Sequence, residues 1–309
     1  MGERTAASSP AAGRYRGRFA PSPTGPLHFG SLVAATAGFL QARAQGGEWL
    51  VRMEDLDRPR EAPGAAADIL RTLERLGLHW DGAVLYQSTR TEAYDDALAR
   101  LRRAGALYPC GCSRREIADS SVRGIDGVVY PGTCRDGLAP GRVGRALRVR
   151  TSDARIVFQD RWQGRVECAL AREIGDFVVR RGDGCIAYQL AVTVDDAYQQ
   201  ITEVVRGADL LLSTPRQLWL QRLLGLATPA YGHVPVAVNA AGEKLSKQTG
   251  ANPVRDQRPQ PLLRRVLAFF GQEAPAALET GTVEELWRHA IAHWDPARVA
   301  GRSRRAPDP

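Results

Sequence analysis

The sequence predicts an α/β protein built on a Rossmann-like parallel sheet, carrying a small cysteine-bearing insertion and a short helical C-terminal segment. Three observations lead there. Strand-like and helix-like stretches alternate from Arg16 to Ala104 at the spacing of parallel βαβ units. A Gly/Pro/Cys-rich stretch from Pro109 to about Arg142 then breaks the alternation. The 309 residues are 44% hydrophobic and 25% charged, an ordinary globular composition. It excludes a mainly disordered, collagen-like or coiled-coil chain.

Each element follows from local pattern. Residues 1–13 are rich in Ala, Ser and Pro and read as a disordered tail. RGRFAPSP (16–23) reads as a short strand ended by prolines. Leu32, Ala35, Phe39 and Ala42 recur at helical spacing before the Gly46-Gly47 stop. WLVRMEDLD (49–57) is a second strand, 62–76 a helix, 84–86 a third strand and 91–104 a helix. Together 14–107 form the first half of a nucleotide-binding domain. The stretch 108–142 is an insertion, and 143–250 is the second half, with short strands expected in 146–168 and 176–190 and a helix in 214–224. Residues 251–309 hold a helical pair, 260–270 and 282–294, and a tail.

The net charge of +8 suits a polyanionic partner such as RNA, although an arginine-rich composition alone would give the same number. No apolar stretch approaches a membrane span, and the N-terminus has no apolar signal core. Five cysteines, three of them at 110, 112 and 134, argue for a reducing, cytoplasmic setting and a metal site over a disulfide framework.

Two segments carry phosphate chemistry. In PSPTGPLHFGS (21–31) a strand runs through a tight turn into a helix start that bears His28, Gly30 and Ser31. Helix N-termini offer free N–H groups and a positive dipole end to anions. The second segment is AGEKLSKQTG (241–250). Among 42 basic residues only Lys244 and Lys247 are lysines. Lysine is a compact point charge suited to a close phosphate contact, so this glycine-bounded loop reads as a clamp over a nucleotide. A third constellation, Cys110-x-Cys112 with Cys134, suits tetrahedral Zn²⁺, with no histidine in the interval to complete it. Cys168 and Cys185 read as core residues of apolar strands.

HFGS (28–31) and KLSKQ (244–248) resemble the two signature motifs of class I aminoacyl-tRNA synthetases. RFAPSPTGPLHFGS, RMEDLD (52–57), YQLAVTVDD (188–196) and VVRGADLLLSTPRQLWL (204–220) follow the order and spacing of the glutamyl-tRNA synthetase catalytic domain. The chain ends too soon after Gly250 for the large anticodon-binding region of those enzymes. It is therefore similar to the truncated glutamyl-Q tRNA(Asp) synthetase family, which adenylates glutamate without tRNA and transfers it to queuosine.

That resemblance implies residue roles. His28, Lys247 and Lys244 would be catalytic, and His28, Gly30, Ser31 and Lys247 would bind ATP, which would arrive with Mg²⁺. Arg18, Phe19, Ala20, Pro21, Ser22, Glu54, Tyr188 and Arg206 would surround L-glutamate, Glu54 taking the ammonium and Arg206 the side-chain carboxylate. Val192 stands where these enzymes often carry an asparagine, which predicts a lost polar contact. Tyr130 would join Cys110, Cys112 and Cys134 around one structural Zn²⁺, with Asp126, Asp136 or water as alternatives. The implied partner is queuosine-bearing tRNA(Asp), met by a monomer with no membrane. Competing readings are a glutamate-adenylating enzyme with another acceptor, an idle RNA-binding paralogue and a nucleotidyltransferase. Retention of Glu54 and Arg206 beside the ATP motifs argues against the last two.

Overall fold

The computed structural model describes residues 14–120, 123–239, 242–244, 253–299, 301 and 304–305. Strand β1 (Arg16–Phe19) pairs in parallel with β2 (Glu48–Met53), and β2 with β3 (Leu85–Tyr86). Helices α1 (Phe29–Ala44), α2 (Ala65–Arg75) and α3 (Thr91–Arg103) follow the three strands in turn. All six match the expected alternation, with the second strand ending four residues early. RMED leaves the sheet after Met53, so Glu54 stands at a strand end.

The stretch expected as an irregular insertion begins inside β4 (Leu107–Cys110) and holds α4 (Arg114–Ser120) and the short hairpin β5 (Arg123–Gly124) with β6 (Gly127–Val128). β4 runs antiparallel to β7 (Ala146–Val149). β8 (Arg155–Asp160) and β9 (Gly164–Ala169) form an antiparallel pair, followed by α5 (Leu170–Glu173) and β10 (Phe177–Arg180), which also pairs with β7.

Strand structure in 176–190 stops at Arg180, and α6 (Tyr188–Tyr198) takes over. Tyr188, Ala191, Val192 and Asp195 lie at i, i+3, i+4 and i+7, a helical period that outweighs the β-branched residues. Cys185 accordingly lies in the connection between β10 and α6 and is partly exposed, so it is not a buried strand residue; Cys168 in β9 is buried as expected.

β11 (Glu203–Gly207), α7 (Thr214–Leu224), β12 (Ala230–Val234) and β13 (Val236–Ala237) complete the second half. β11 pairs in parallel with β12, and β12 with β8. β1 and β11 meet where Thr202 N–H donates to Arg16 O at 2.9 Å. Helices α8 (Pro259–Phe269) and α9 (Val283–Ala292) and strand β14 (Arg304–Arg305), which pairs with β13, close the chain.

α1 is apolar nearly all round because it is central. Leu32, Ala35, Leu40 and Ala42 are fully buried, as expected of a helix packed on several sides. It rests on Trp49 of β2, whose ring stacks on Phe19 and meets Phe39 edge-on. α8 and α9 cover its other side through Phe269, Phe270 and Trp287. A second apolar cluster fills the space between α3, α6, α7 and the later strands. Ligands of open α/β sheets bind beyond the carboxyl ends of parallel strands, where strand order reverses. Here that place is the junction of β1 and β11.

Candidate active site

A cleft of about 1030 Å³ opens at that junction. Residues just beyond β1, β2, β11 and β12 line it, as do the first turn of α1, the start of α6 and Lys244. It gathers Arg18, Phe19, Ala20, Pro21, Ser22, His28, Gly30, Ser31, Glu54, Tyr188, Arg206 and Lys244. These are the sequence-predicted site residues outside the cysteine insertion, save Lys247, which lies outside the described residues.

The phosphate-binding candidates sit where α1 begins. His28 is its N-cap, with Nδ1 accepting from the Ser31 backbone N–H at 3.3 Å and Nε2 lying 3.1 Å from Ser31 Oγ. A neutral ring that accepts at Nδ1 carries its proton on Nε2. No acidic residue occupies the first turn, so the dipole faces the cleft uncompensated. Across the opening Lys244 Nζ is 2.6 Å from Asp209 Oδ2.

The floor of the cleft is a buried charge network. Asp196 pairs with Arg18 Nε at 2.9 Å and with Arg52 Nη2 at 2.8 Å. Burial alone would raise the Asp196 carboxyl, but the two guanidiniums outweigh it and hold the acid below its usual range. Glu54 is the opposite case. Its Oε1 is 3.7 Å from Arg52 Nη2, and burial, only partly offset by Arg52 and Arg18, pushes it up to about 7. Asp195, one position before Asp196, accepts from Tyr94 Oη at 2.6 Å, Gln87 Nε2 at 2.9 Å and Arg90 Nε at 3.1 Å. This ties α6 to α3 and fixes the floor.

Arg206 forms the wall. Its Nη1 donates to Tyr188 Oη at 3.2 Å, Nη2 to Thr214 Oγ1 at 2.9 Å and Nε to His233 Nε2 at 3.0 Å. His233 in turn meets Asp160 at 2.5 Å. Burial, reinforced by the nearby Arg206 charge, pushes His233 down to about 4 despite Asp160, so the ring is neutral near pH 7. Val192 is fully buried and is not among the cleft-lining residues.

Several participants escaped the sequence reading. Arg52, Asp195 and Asp196 fall inside quoted motifs, and the i+7 and i+8 spacing from Tyr188 placed both aspartates on its helix face. Asp57 and Arg181 join across the cleft at 3.1 Å, beside Cys185. Asp160 and His233 had no local signal, because their meaning depends on strand register.

The cysteine cluster is a separate centre. The Sγ atoms of Cys110, Cys112 and Cys134 lie within 4.8 Å of one another. Tetrahedral thiolates around Zn²⁺ stand about 3.8 Å apart, as follows from the metal–sulfur distance. Tyr130 Oη lies 3.5 Å from both Cys110 Sγ and Cys112 Sγ and accepts from the Cys134 N–H at 2.9 Å. Burial and hydrogen bonds to the three thiols push its phenol up. Arg148 Nε lies 3.3 Å from Cys110 Sγ, with its guanidinium over the Tyr130 ring, and Arg142 Nη1 is 3.6 Å from Cys112 Sγ. Two cations beside three thiols fit a cluster that becomes net anionic around a divalent ion.

Comparison with known proteins agrees with this geometry. Residues 14–286 match the family of class I tRNA synthetases (E and Q), catalytic domain. The glutamyl-Q tRNA(Asp) synthetase of Dechloromonas aromatica is 61% identical over 91% of this chain and 94% of its own. That of Aromatoleum aromaticum is 58% identical over 92% and 90%. The fold is shared with the glutamate-tRNA synthetase of Elizabethkingia anophelis, at a TM-score of 0.78 and 24% identity over 94% of this chain and 67% of that one. The chain belongs to the class I tRNA synthetases of the E and Q type, within the group of the glutamyl-Q tRNA(Asp) synthetases.

Proposed function

We infer that this chain activates L-glutamate with ATP in the absence of tRNA and transfers the glutamyl group to the queuosine base in the anticodon of tRNA(Asp). The observation that carries the reading is the meeting, in one cleft, of an amino-acid pocket (Glu54, Tyr188, Arg206) with a phosphate-facing helix start (His28, Gly30, Ser31).

In the activation step a carboxylate oxygen of glutamate attacks the α-phosphorus of ATP. A new P–O bond forms between glutamate and the α-phosphorus, the bond from the α-phosphorus to the bridging oxygen breaks, and pyrophosphate leaves; Mg²⁺ carried by ATP would help neutralise its charge. No protein nucleophile is needed; positioning and charge neutralisation suffice. The His28 ring, with its Nε2–H against Ser31 Oγ, and the α1 N-terminus would lie beside the phosphates, and Lys247, supported by Lys244, would neutralise charge on the departing group. Glu54 holds the ammonium and Arg206 the side-chain carboxylate, which leaves the α-carboxylate as the attacking group. The backbone of Ala20 to Ser22 and the Arg18 guanidinium shape the floor.

Cys110, Cys112, Cys134 and Tyr130 would hold one Zn²⁺, which when bound cross-links the 108–142 insertion and leaves catalysis to the cleft. The enzyme works as a cytoplasmic monomer on this reading.

Glutamate-dependent ATP–pyrophosphate exchange without tRNA tests the first half. Transfer of labelled glutamate to tRNA(Asp) with and without queuosine tests the second. Exchange with queuosine-dependent transfer is expected. Exchange without transfer would move the acceptor elsewhere, and absence of exchange would overturn the reading. In Lys247→Ala the exchange should be lost with the thermal unfolding midpoint unchanged.

A further inference from the structure

Arg206 reaches the cleft with its guanidinium plane fixed from behind. The parallel register of β11 on β12 sets Arg206 opposite His233, and that of β12 on β8 sets Tyr231 opposite Asp160. Asp160 and His233 are both fully buried, and neither lines the cleft. Asp160 Oδ1 accepts from the backbone N–H groups of Trp162 (3.1 Å), Gln163 (3.0 Å) and His233 (3.1 Å). That leaves Oδ2 for His233 Nδ1, at 2.5 Å. An ionised carboxylate only accepts, so the imidazole proton sits on Nδ1 and Nε2 presents a lone pair. The Arg206 Nε–H, 3.0 Å away, is the donor that meets it.

We propose that Asp160 and His233 are positioning residues for substrate recognition: the carboxylate selects the imidazole tautomer that receives Arg206 Nε–H, and this bond fixes the plane of the guanidinium presented to the substrate's side-chain carboxylate. The proposal rests on the reading of Arg206 as the partner of that carboxylate. A guanidinium has donors in a rigid fork. With Nε turned to His233 and the terminal nitrogens shared with Tyr188 and Thr214, its orientation is set before substrate arrives. Pre-organisation of this kind lowers the cost of binding. Neutrality of the ring matters as much as its direction, since an imidazolium would set a donor and a second charge against the arginine.

The substitutions separate direction from bulk. In Asp160→Asn the amide oxygen can still receive the three backbone N–H groups, but its NH₂ now faces His233 Nδ1. The ring then carries its proton on Nε2, donor against donor with Arg206. His233→Asn removes the acceptor at the Nε2 position, whereas His233→Gln places a carbonyl oxygen near it. ATP–pyrophosphate exchange by the full chain gives KM for glutamate, KM for ATP and kcat separately, and a parallel assay with glutamine gives the discrimination ratio.

Asp160→Asn and His233→Asn are expected to raise KM for glutamate about tenfold or more, the scale of a displaced positioning group, with KM for ATP held within about twofold. Glutamate-over-glutamine discrimination should fall with them. His233→Gln should recover most of the loss. Equal behaviour of His233→Asn and His233→Gln, or parallel rises in both KM values, would reduce the pair to a strand-to-strand tie and overturn the proposal. Arg206→Ala distinguishes the two levels. If it raises KM for glutamate while His233→Asn does not, the positioning role alone falls. If Arg206→Ala leaves that KM unchanged, the pocket reading falls and takes the proposal with it. Thermal unfolding of each variant identifies one that fails to fold, and should His233→Asn do so, Asp160→Asn decides by its KM split: a rise for glutamate alone upholds the proposal, and parallel rises or none overturn it.

Discussion

Glu54 is the residue whose environment shapes behaviour most directly. Its carboxyl is pushed up from 4.5 to about 7, first by burial and only partly restrained by Arg52 and Arg18. Only the carboxylate can take an ammonium. KM for glutamate should therefore fall as pH rises from 6 toward 8, steeply below 7 and flattening above, read from the pH profile of exchange at saturating ATP. The stability sign is the reverse. A folded pKa above the unfolded one gives a contribution complete below about 4.5 and lost as pH rises through about 7. Glu54→Gln should accordingly raise the unfolding free energy at pH 8 by on the order of 1–3 kcal/mol while abolishing exchange. The sequence made Glu54 and Arg206 legible through motif membership. It could not show that Arg18 and Arg52 share Asp196, because that pairing brings α6 against β1 and β2 from more than a hundred residues away.

At the scale of elements, the helices read well where apolar spacing was strong, as in α1, α3 and α7. α6 was hidden because Val192, Thr193 and Val194 suggest a strand, and packing against α3 and α7 decides otherwise. The antiparallel pairing of β4 with β7 was hidden for a different reason: only the approach of two segments some forty residues apart creates it. The cysteine centre sits on that pair, since Cys110 ends β4 and Arg148 projects from β7. Metal removal should therefore loosen a defined region. With a chelator, amide exchange should accelerate across 107–149 while β1, β2 and β11 keep their protection. Exchange that rises uniformly, or a purified protein without zinc, would refute the staple.

Among the described residues two large apolar clusters meet along the sheet, with the cleft at the seam, and a small third one surrounds the cysteine centre. α8 and α9 belong to the first cluster through Phe269, Phe270 and Trp287, and the Trp287 indole donates to Leu76 O at 2.8 Å. Trp287→Ala should cost about 3–5 kcal/mol, the usual range for a buried aromatic truncated in place. Denaturant unfolding would measure it, and a cost below 1 kcal/mol would mean that α9 is an appendage. No helix among the described residues is long and apolar enough to cross a membrane.

The buried floor has a further consequence in electroneutrality. With Glu54 ionised, the charged groups that line the amino-acid end of the cleft are two guanidiniums, Arg18 and Arg206, and one carboxylate. Behind them Arg52 pairs with Asp196, and Asp160 is held by His233 and backbone N–H groups, so the surface that faces the substrate presents one surplus positive charge. Glutamate, with two carboxylates and one ammonium, carries one net negative charge and cancels it. Glutamine carries none and leaves the surplus in a medium where an unbalanced charge is costly. Discrimination between the two amino acids thus belongs to the charge inventory of the whole pocket as well as to any one hydrogen bond.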